Sequence, residues 1–303
     1  MKKNISAVIP TYNEEKHIGR CIESLAPFVQ DIFIIDSFST DRTKQIAEAL
    51  GANVLEVAWE NNYAKKYNWG LQHAPITTEW VLRMDADEYV LPELRDEIIS
   101  KLDAMDSAVT GIYLKRRVLF LGKWIRHGGS YPIWLLRIWR HTKGFCENRW
   151  MDEHIQITEG TAMYLEHDFV DDNLNSLEFW SQKHIVFAIK EAIDLLNIKY
   201  GFLGKSDTAH IKMYSQDSKK RWFKETVYAH LPLFIRPCLF FVYRYFLRLG
   251  FLDGKAGLIR HFLQSFWYRF LVDSYVYEVK KKAKKENMTI KEAIASLYND
   301  IKL

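Results

Sequence analysis

Apolar positions along the first third of the chain fall into two repeating patterns. Positions 5–9 form a short, mostly apolar run. Ile18, Cys21, Ile22 and Leu25 then recur at helical spacing, so a strand passes into a helix through "IPTYNEEKHIG". A second apolar run, 32–35, ends at Asp36. "SFSTDRTKQIAEALG" follows, offering Ser39 or Thr40 as a helix N-cap, an amphipathic stretch, and Gly51 as its C-terminal stop. Positions 54–57 read as a third strand, and "EWVLRMDADEYV" as a fourth that runs into acid at Asp85. The predicted order is β-α-β-α-β.

Right-handed crossovers make such strands parallel, and their carboxyl ends then share one edge of the sheet. Thr11, Tyr12 and Glu14, then Asp36, then Asp85 and Asp87 would line one crevice there. No GxGxxG follows the first strand, so glycine backbone does not cradle a pyrophosphate. Asp85-Ala86-Asp87 is the candidate replacement. In extended chain the two carboxylates point the same way, and their hard oxygens suit Mg2+ or Mn2+. The competing reading is an acidic strand-to-helix loop, with "DEYVLPELRDEI" opening the next helix.

Composition narrows the classes. With 303 residues, 48% of them hydrophobic, the chain has material for a large core. A net charge of +4 is too small for a dedicated nucleic-acid binder, and nucleic acid is not an expected partner. Cys21, Cys146 and Cys238 have no CxxC spacing, which points to neither a disulfide framework nor a zinc site. The first apolar stretch ends at Pro10, too short for a signal-peptide core. A helix is expected from 177 to 200. Beyond it, "LPLFIRPCLFFVYRYFLRLGFLDGKAGLIRHFLQSFWYRFLV" is apolar but interrupted by Arg236, Arg244, Arg248 and Arg260, and split at Gly250, Asp253 and Gly254. Each arginine at a bilayer centre costs about 2.5–3.5 kcal/mol on insertion scales, so helices lying on a membrane surface fit better than a span. "KKKAKK" adds basic charge for anionic lipids; the alternative is a soluble helical appendage with a solvated lysine face. Thr289 and Glu292 form a capping-box pattern before a last helix.

"VIPTYNEEKHIGRCIESL", "IIDSFSTDRT" and "WVLRMDADE", in that order, resemble glycosyltransferase family 2. "YPIWLLRIWR", "MDEHI" and "LEHDF" look like the subgroup near lipopolysaccharide-core and surface-polysaccharide enzymes. The resemblance implies an α/β fold of the GT-A kind, a Rossmann-like mixed sheet flanked by helices, over 1–225. A C-terminal helical membrane-associating region would occupy 226–303. It further implies an inverting, non-processive transfer of one sugar from a nucleotide-sugar donor, a uridine diphosphate sugar, to a lipid-linked saccharide or lipopolysaccharide-core acceptor. The enzyme would work peripherally at the cytoplasmic face of the inner membrane.

Carried over residue by residue, Pro10, Thr11, Tyr12, Glu14 and Asp36 would surround base and ribose, while Asp85 and Asp87 would hold a divalent metal, Mn2+ or Mg2+, and the diphosphate. The family's Asp pair after the second strand is reduced here to Asp36-Ser37. Lys65, Lys66 and Asn68 match a basic segment near the donor, with a helix bearing solvated lysines as the plainer reading. Arg137 is the donor-binding candidate of an aromatic stretch that otherwise reads as a buried strand. His167 resembles a late metal ligand. In "MDEHI" the base that takes the acceptor proton is Glu153, with Asp152 as the alternative and an acidic turn as the bland reading.

Other classes fit less well. A nucleotidyltransferase would carry a Gly-rich, Arg-containing loop after the first strand, and a processive synthase several spanning helices with QxxRW. A non-catalytic membrane-associated nucleotide-sugar binding protein remains if the acids are only structural.

Overall fold

In a computed structural model, which describes residues 2–60, 62–147, 153–202, 228 and 231–298, the first apolar run becomes β1 (Ile5–Thr11). Strands β2 (Asp31–Asp36) and β4 (Trp80–Arg83) pair with it in parallel on either side, and β3 (Asn53–Glu56) pairs with β2. The expected parallel order is therefore present. Side chains alternate across β1: Ile5, Ala7 and Ile9 pack with α1 (Ile18–Leu25), α2 (Thr43–Ala49) and α4 (Pro92–Lys101), whereas Val8 packs on the opposite face with α3 (Tyr63–His73). Burial on both faces is why β1 is mostly apolar rather than alternating, its buried Ser6 accepting the Thr78 hydroxyl at 2.8 Å.

Two local expectations are corrected. α2 starts at Thr43, and Ser39 and Thr40 do not cap it: Ser39 bonds Asp36, and the Thr40 N–H donates to Asn13 Oδ1. Asp41 Oδ1 instead accepts the Thr43 N–H at 2.9 Å. Gly51 does follow the helix with φ 80°, the left-handed geometry a glycine stop requires. The second correction concerns Asp85-Ala86-Asp87, which is a turn rather than extended chain. The Glu88 N–H closes on Asp85 O at 2.9 Å, so alternation along a strand does not set the direction of its carboxylates.

That turn joins distant parts of one sheet. Its order is β3-β2-β1-β4-β8-β6-β11-β5, with β7 (Lys123–Trp124) paired to β6. β8 (Ile133–Arg140), β6 (Val109–Phe120) and β11 (Thr161–Asp172) therefore lie between β4 and β5 (Glu88–Val90), although only 84–87 connect those two strands. In a flat sheet they would be about 19 Å apart at the usual strand spacing, whereas a closed turn spans less than about 7 Å. The sheet must curl, and the acidic turn sits at its seam. A separate ribbon pairs β9 (Gly144–Cys146) with β10 (Ile155–Ile157).

The described residues fall into two compact units, one within 1–126 and 130–175, the other within 127–129 and 176–303. The division comes earlier than the 225/226 boundary expected for the functional regions, because α5 (Leu177–Tyr200) packs against helices of the second unit. Ser176 caps α5 by accepting the Phe179 N–H, and Gly201, at φ 67°, ends it. Ala188, Ala192 and Leu196 of α5 share a core with Val272, Val276 and Val279 of a later helix and with Ile294 of the last one.

In that unit α6 (Ile235–Val242) runs into a π-helical turn, Tyr243–Leu247. After a 3-10 turn over Gly250–Asp253, α7 (Gly254–His261) continues through a second π turn, Phe262–Trp267, into α8 (Tyr268–Glu286). α9 (Ile290–Leu297) begins with the expected Thr289–Glu292 capping box. Among the described residues no helix is long and apolar enough to cross a membrane. The arginines of this stretch divide in two. Arg236 is buried against Asp273, and Arg244 donates to Gly128 O at 2.6 Å, while Arg248 is exposed.

Gly70 sets how closely α3 approaches β2. A methyl group there would lie 2.5 Å from Ile35 Cγ1. Gly70→Ala is expected to destabilise the chain by about 1–3 kcal/mol in urea denaturation, and by clearly less in an Ile35→Ala background. An equal cost in both backgrounds would contradict the contact.

Candidate functional site

The loops after β1 and β2 are stitched to each other at the carboxyl edge. Thr11 Oγ1 donates to Asp36 Oδ1 at 2.7 Å, and Asp36, fully buried, also accepts the Ser39 N–H and hydroxyl at 2.7 and 2.6 Å. Asn13, at φ 55°, donates its N–H to Ser39 Oγ, and the Glu14 N–H donates to Thr43 Oγ1. Ser and Thr in "SFSTDRT" thus act as acceptors for the neighbouring loop. Tyr12 and Phe38, 58% and 56% exposed, project from these loops. Phe38 does so from left-handed backbone at φ 56°, which costs a non-glycine residue roughly 1–2 kcal/mol. Ser37, standing where the family has a second Asp, has a buried hydroxyl with no hydrogen-bond partner among the described residues.

Lys66 enters this cluster from α3. Its ammonium is buried and donates to Thr11 O at 2.6 Å. Burial pushes it down to about 8, with Asp36 and Glu14 opposing. A lysine whose charge is disfavoured by burial at the strand ends gains from an incoming anion. His17 fixes Glu14 from the other side. Because the Leu174 N–H donates to His17 Nε2 at 2.8 Å, the ring proton sits on Nδ1, which donates to Glu14 Oε2 at 2.6 Å.

At the acidic turn, carboxylates surround two buried guanidinium groups. Arg137 Nη2 lies 3.2 Å from Asp85 Oδ2 and 2.5 Å from Glu88 Oε1, and Glu88 Oε2 accepts the Asp85 N–H at 2.8 Å. Arg83 Nε lies 3.5 Å from Asp85 Oδ1, and its Nη2 donates to Glu153 Oε1 at 3.2 Å. Burial lowers the Arg83 guanidinium, but Asp85 and Glu153 outweigh it and hold it above its ordinary range. Cys146, also against Arg83, is pushed up to about 12 by burial and stays a neutral thiol. Asp87 Oδ2 accepts Asn173 Nδ2 at 2.9 Å, and Asp172 holds Arg20 at 2.6 Å. Asp85, Glu88 and Glu153 thus pair with Arg83 and Arg137 at the seam, while burial pushes the Glu88 carboxyl well above its usual range.

The structure brings Thr11, Glu14, Asp36 and Lys66 together, and joins Asp85, Arg137 and Glu153 through shared partners. Other sequence candidates are engaged elsewhere. Pro10 lies within β1 opposite Ile35. Lys65 is exposed and faces Glu60 at 3.4 Å. Asn68 spends both ends of its amide on the Cys146 backbone, at 2.7 and 2.9 Å, and so positions β9. Arg137 is buried under the acids rather than open to a ligand. His167 Nδ1 bonds Glu97 Oε2 at 2.9 Å, on α4. It lies five residues along β11 from Asp172, whose N–H reaches Asp87 O, and at about 3.3 Å per residue that removes it from the turn. Asp152 lies outside the described residues. Arg83 and Glu88 were missed; a lone arginine in the buried run "WVLRMD" was the available signal.

Among the described residues no three His, Cys, Asp or Glu side chains gather to hold a metal ion. Asp85, 37% exposed at its side chain, and Asp87 offer two hard carboxylates on one turn. Such a pair suits a cation that keeps several waters and takes its remaining oxygens from a diphosphate.

A curled mixed sheet with loop-borne acids along one carboxyl edge defines an α/β protein built to bind a ligand at that edge. Residues 6–173 match the family model for glycosyl transferase family 2, and the chain belongs to that family. An uncharacterized glycosyltransferase of Rickettsia felis is 40% identical over 96 residues, 32% of this chain and 33% of that one. The lipopolysaccharide core biosynthesis glycosyltransferase LpsC of Rhizobium meliloti is 32% identical over 129 residues, 40% of this chain and 45% of that one. Among solved structures, residues 1–349 of S. aureus TarS align over 94% of this chain and 92% of that one, with 16% identity and a TM-score of 0.41. The match spans about a third of the length of the first curated relatives.

Removing one partner of a buried ion pair strands the other. Arg137→Met is expected to cost about 3–5 kcal/mol in urea denaturation, and Arg137→Met with Glu88→Leu distinctly less than the single change. A single-variant cost below about 1 kcal/mol would contradict the buried pairing.

Proposed function

We propose that the chain is an inverting, metal-dependent glycosyltransferase that moves one sugar from a nucleoside diphosphate sugar, a uridine diphosphate sugar, to a lipid-linked saccharide or lipopolysaccharide-core acceptor in cell-surface polysaccharide synthesis. Family membership supports sugar transfer, and the name of the R. meliloti relative supports the lipopolysaccharide setting. The observation that carries the reading is Arg83, which holds Glu153 and Asp85 on one guanidinium and so brings a candidate base to the acidic turn.

In this reading the nucleoside lies across the stitched loops, near Thr11, Tyr12, Glu14 and Asp36, with the Lys66 ammonium beside its phosphates. Glu153 takes the proton of the acceptor hydroxyl while that oxygen attacks C1 of the donor sugar. The C1–O bond to the diphosphate breaks, and its electron pair leaves with the nucleoside diphosphate. Arg83 orients Glu153 for this step. Asp85 and Asp87 would hold Mn2+ or Mg2+, which supplies neutralisation of diphosphate charge.

Release of uridine diphosphate from its sugar conjugates, with Mn2+ and a rough lipopolysaccharide acceptor, tests the proposal. Glu153→Gln is expected to lower turnover by about two to four orders of magnitude with donor affinity retained, and Asp87→Asn to abolish both transfer and metal-dependent donor binding. Donor binding without acceptor-dependent release in the unaltered protein would favour the non-catalytic binding alternative. Near-normal turnover in both variants would remove the assigned roles.

The same proposal places the enzyme peripherally on the cytoplasmic face of the inner membrane, with region 226–303 as the attachment. Support comes from exposed Phe246, Leu247, Leu249, Phe251 and Leu252, of which Leu247 is 71% exposed, beside the exposed cations Arg248 and Lys255. Apolar groups entering the acyl boundary next to basic groups among anionic headgroups make a stable surface attachment. Leu247→Ser with Phe251→Ser, both at exposed sites, is expected to weaken binding to anionic vesicles by about tenfold or more. Unchanged vesicle partitioning would contradict this attachment.

A further inference from the structure

We infer that a basic and aromatic wall on β6, β7 and β8 is a subsite for a saccharide carrying a negatively charged group, a carboxylate or a phosphate. The inference rests on the transfer reading only for its role as the acceptor subsite. Its chemistry stands on the wall itself.

Lys115 and Arg117, two positions apart on β6, project from one face. The Lys115 ammonium lies 5.3 Å from the Trp134 ring centre and 5.8 Å from that of Tyr131. Arg117 and Arg126 both stack on Trp124, at 4.1 and 4.2 Å from its ring centre. One buried carboxylate answers these cations. Asp168 accepts Arg117 Nε and Nη2 at 3.1 and 2.9 Å and the Tyr131 hydroxyl at 2.9 Å, and lies 3.9 Å from Lys115. Glu166 comes within 4.0 Å of Lys115 but is largely in solvent.

Asp168 alone would explain a structural clamp of Arg117 and Tyr131 on β11. It does not explain the rest. Arg126 has no carboxylate partner among the described residues, yet it is gathered onto the same indole as Arg117. The Trp124 Nε1–H is buried with no acceptor among them. Asp168 answers Arg117, whereas Arg126 and the buried indole donor are left without an anion or acceptor among the described residues. The surrounding Trp124, Tyr131 and Trp134 offer flat apolar faces of the kind sugar rings stack on, and guanidinium groups suit carboxylate or phosphate oxygens.

Strand β8 ties the wall to the acidic turn. Arg137 of β8 lies 3.2 Å from Asp85, and Trp134 is three residues earlier on the same strand, about 10 Å away at about 3.3 Å per residue. Lys115 faces Trp134 across the next strand pair. A charged sugar on the wall therefore lies within about one saccharide length of the turn that bears Asp85.

Isothermal titration of the full chain with glucose 6-phosphate, glucuronate and glucose tests the inference, with uridine diphosphate plus Mn2+ titrated in parallel. At least one anionic sugar is expected to bind ten times or more tighter than glucose. Arg126→Gln and Lys115→Gln, each, are expected to weaken it at least fivefold while uridine diphosphate affinity stays unchanged. A preference for glucose 6-phosphate identifies phosphate as the group, and a preference for glucuronate identifies carboxylate; either supports the subsite. Equal affinity for glucose, or anion affinity unmoved by both substitutions, overturns it. If the anionic sugars bind with this mutational pattern but uridine diphosphate does not bind at all, the transfer reading fails and the subsite stands.

Discussion

Two arginine side chains, Arg83 and Arg137, come from facing strands β4 and β8 into one buried place, and everything at the acidic edge follows from their need for counter-charge. Neither guanidinium deprotonates in a protein, and burying either without a partner costs several kcal/mol. Asp85 answers both, Glu88 answers Arg137, and Glu153 answers Arg83. Three carboxylates would repel one another without the arginines, and the arginines would repel each other without the carboxylates. The two sets hold together only where the chain brings β4, β5, β8 and the segment before β10 to one point.

Curling of the sheet creates that point. The short connection 84–87 forces β5 back toward β4 although three strands lie between them, and the resulting turn carries Asp85 and Asp87 to the edge where the β1 and β2 loops also end. The same curl sets the aromatic face of β6 and β8 beside the turn. The loops after β1 and β2, the acidic turn and the basic wall are thus parts of one strand arrangement.

What the sequence disclosed and what it withheld divide along a physical line. Periodicity is a local property, so β1 through β4, the limits of α5 and the Thr289–Glu292 cap were legible. Partner choice is not local. Asn68 reads as a donor ligand until β9 lies against α3, and His167 reads as a metal ligand until Glu97 on α4 reaches it. Ser39 and Thr40 have the right chemistry for a cap, but loop–loop hydrogen bonds claim them first. Arg83 carried no motif at all. Its role appears only when Asp85, two residues on, and Glu153, seventy residues on, converge on it. Family resemblance identified the edge; only the fold identified what holds the edge together.

The most direct test of that edge is a crystal structure with uridine diphosphate and Mn2+, using the anomalous signal of manganese to locate the ion. The ion is expected within about 2.0–2.6 Å of a carboxylate oxygen of Asp85 or Asp87, with the diphosphate on it and the uridine over the Thr11 and Asp36 loops. Nucleotide bound away from the carboxyl ends of β1, β2 and β4, with no manganese at either carboxylate, would contradict the assignment of this edge as the donor site.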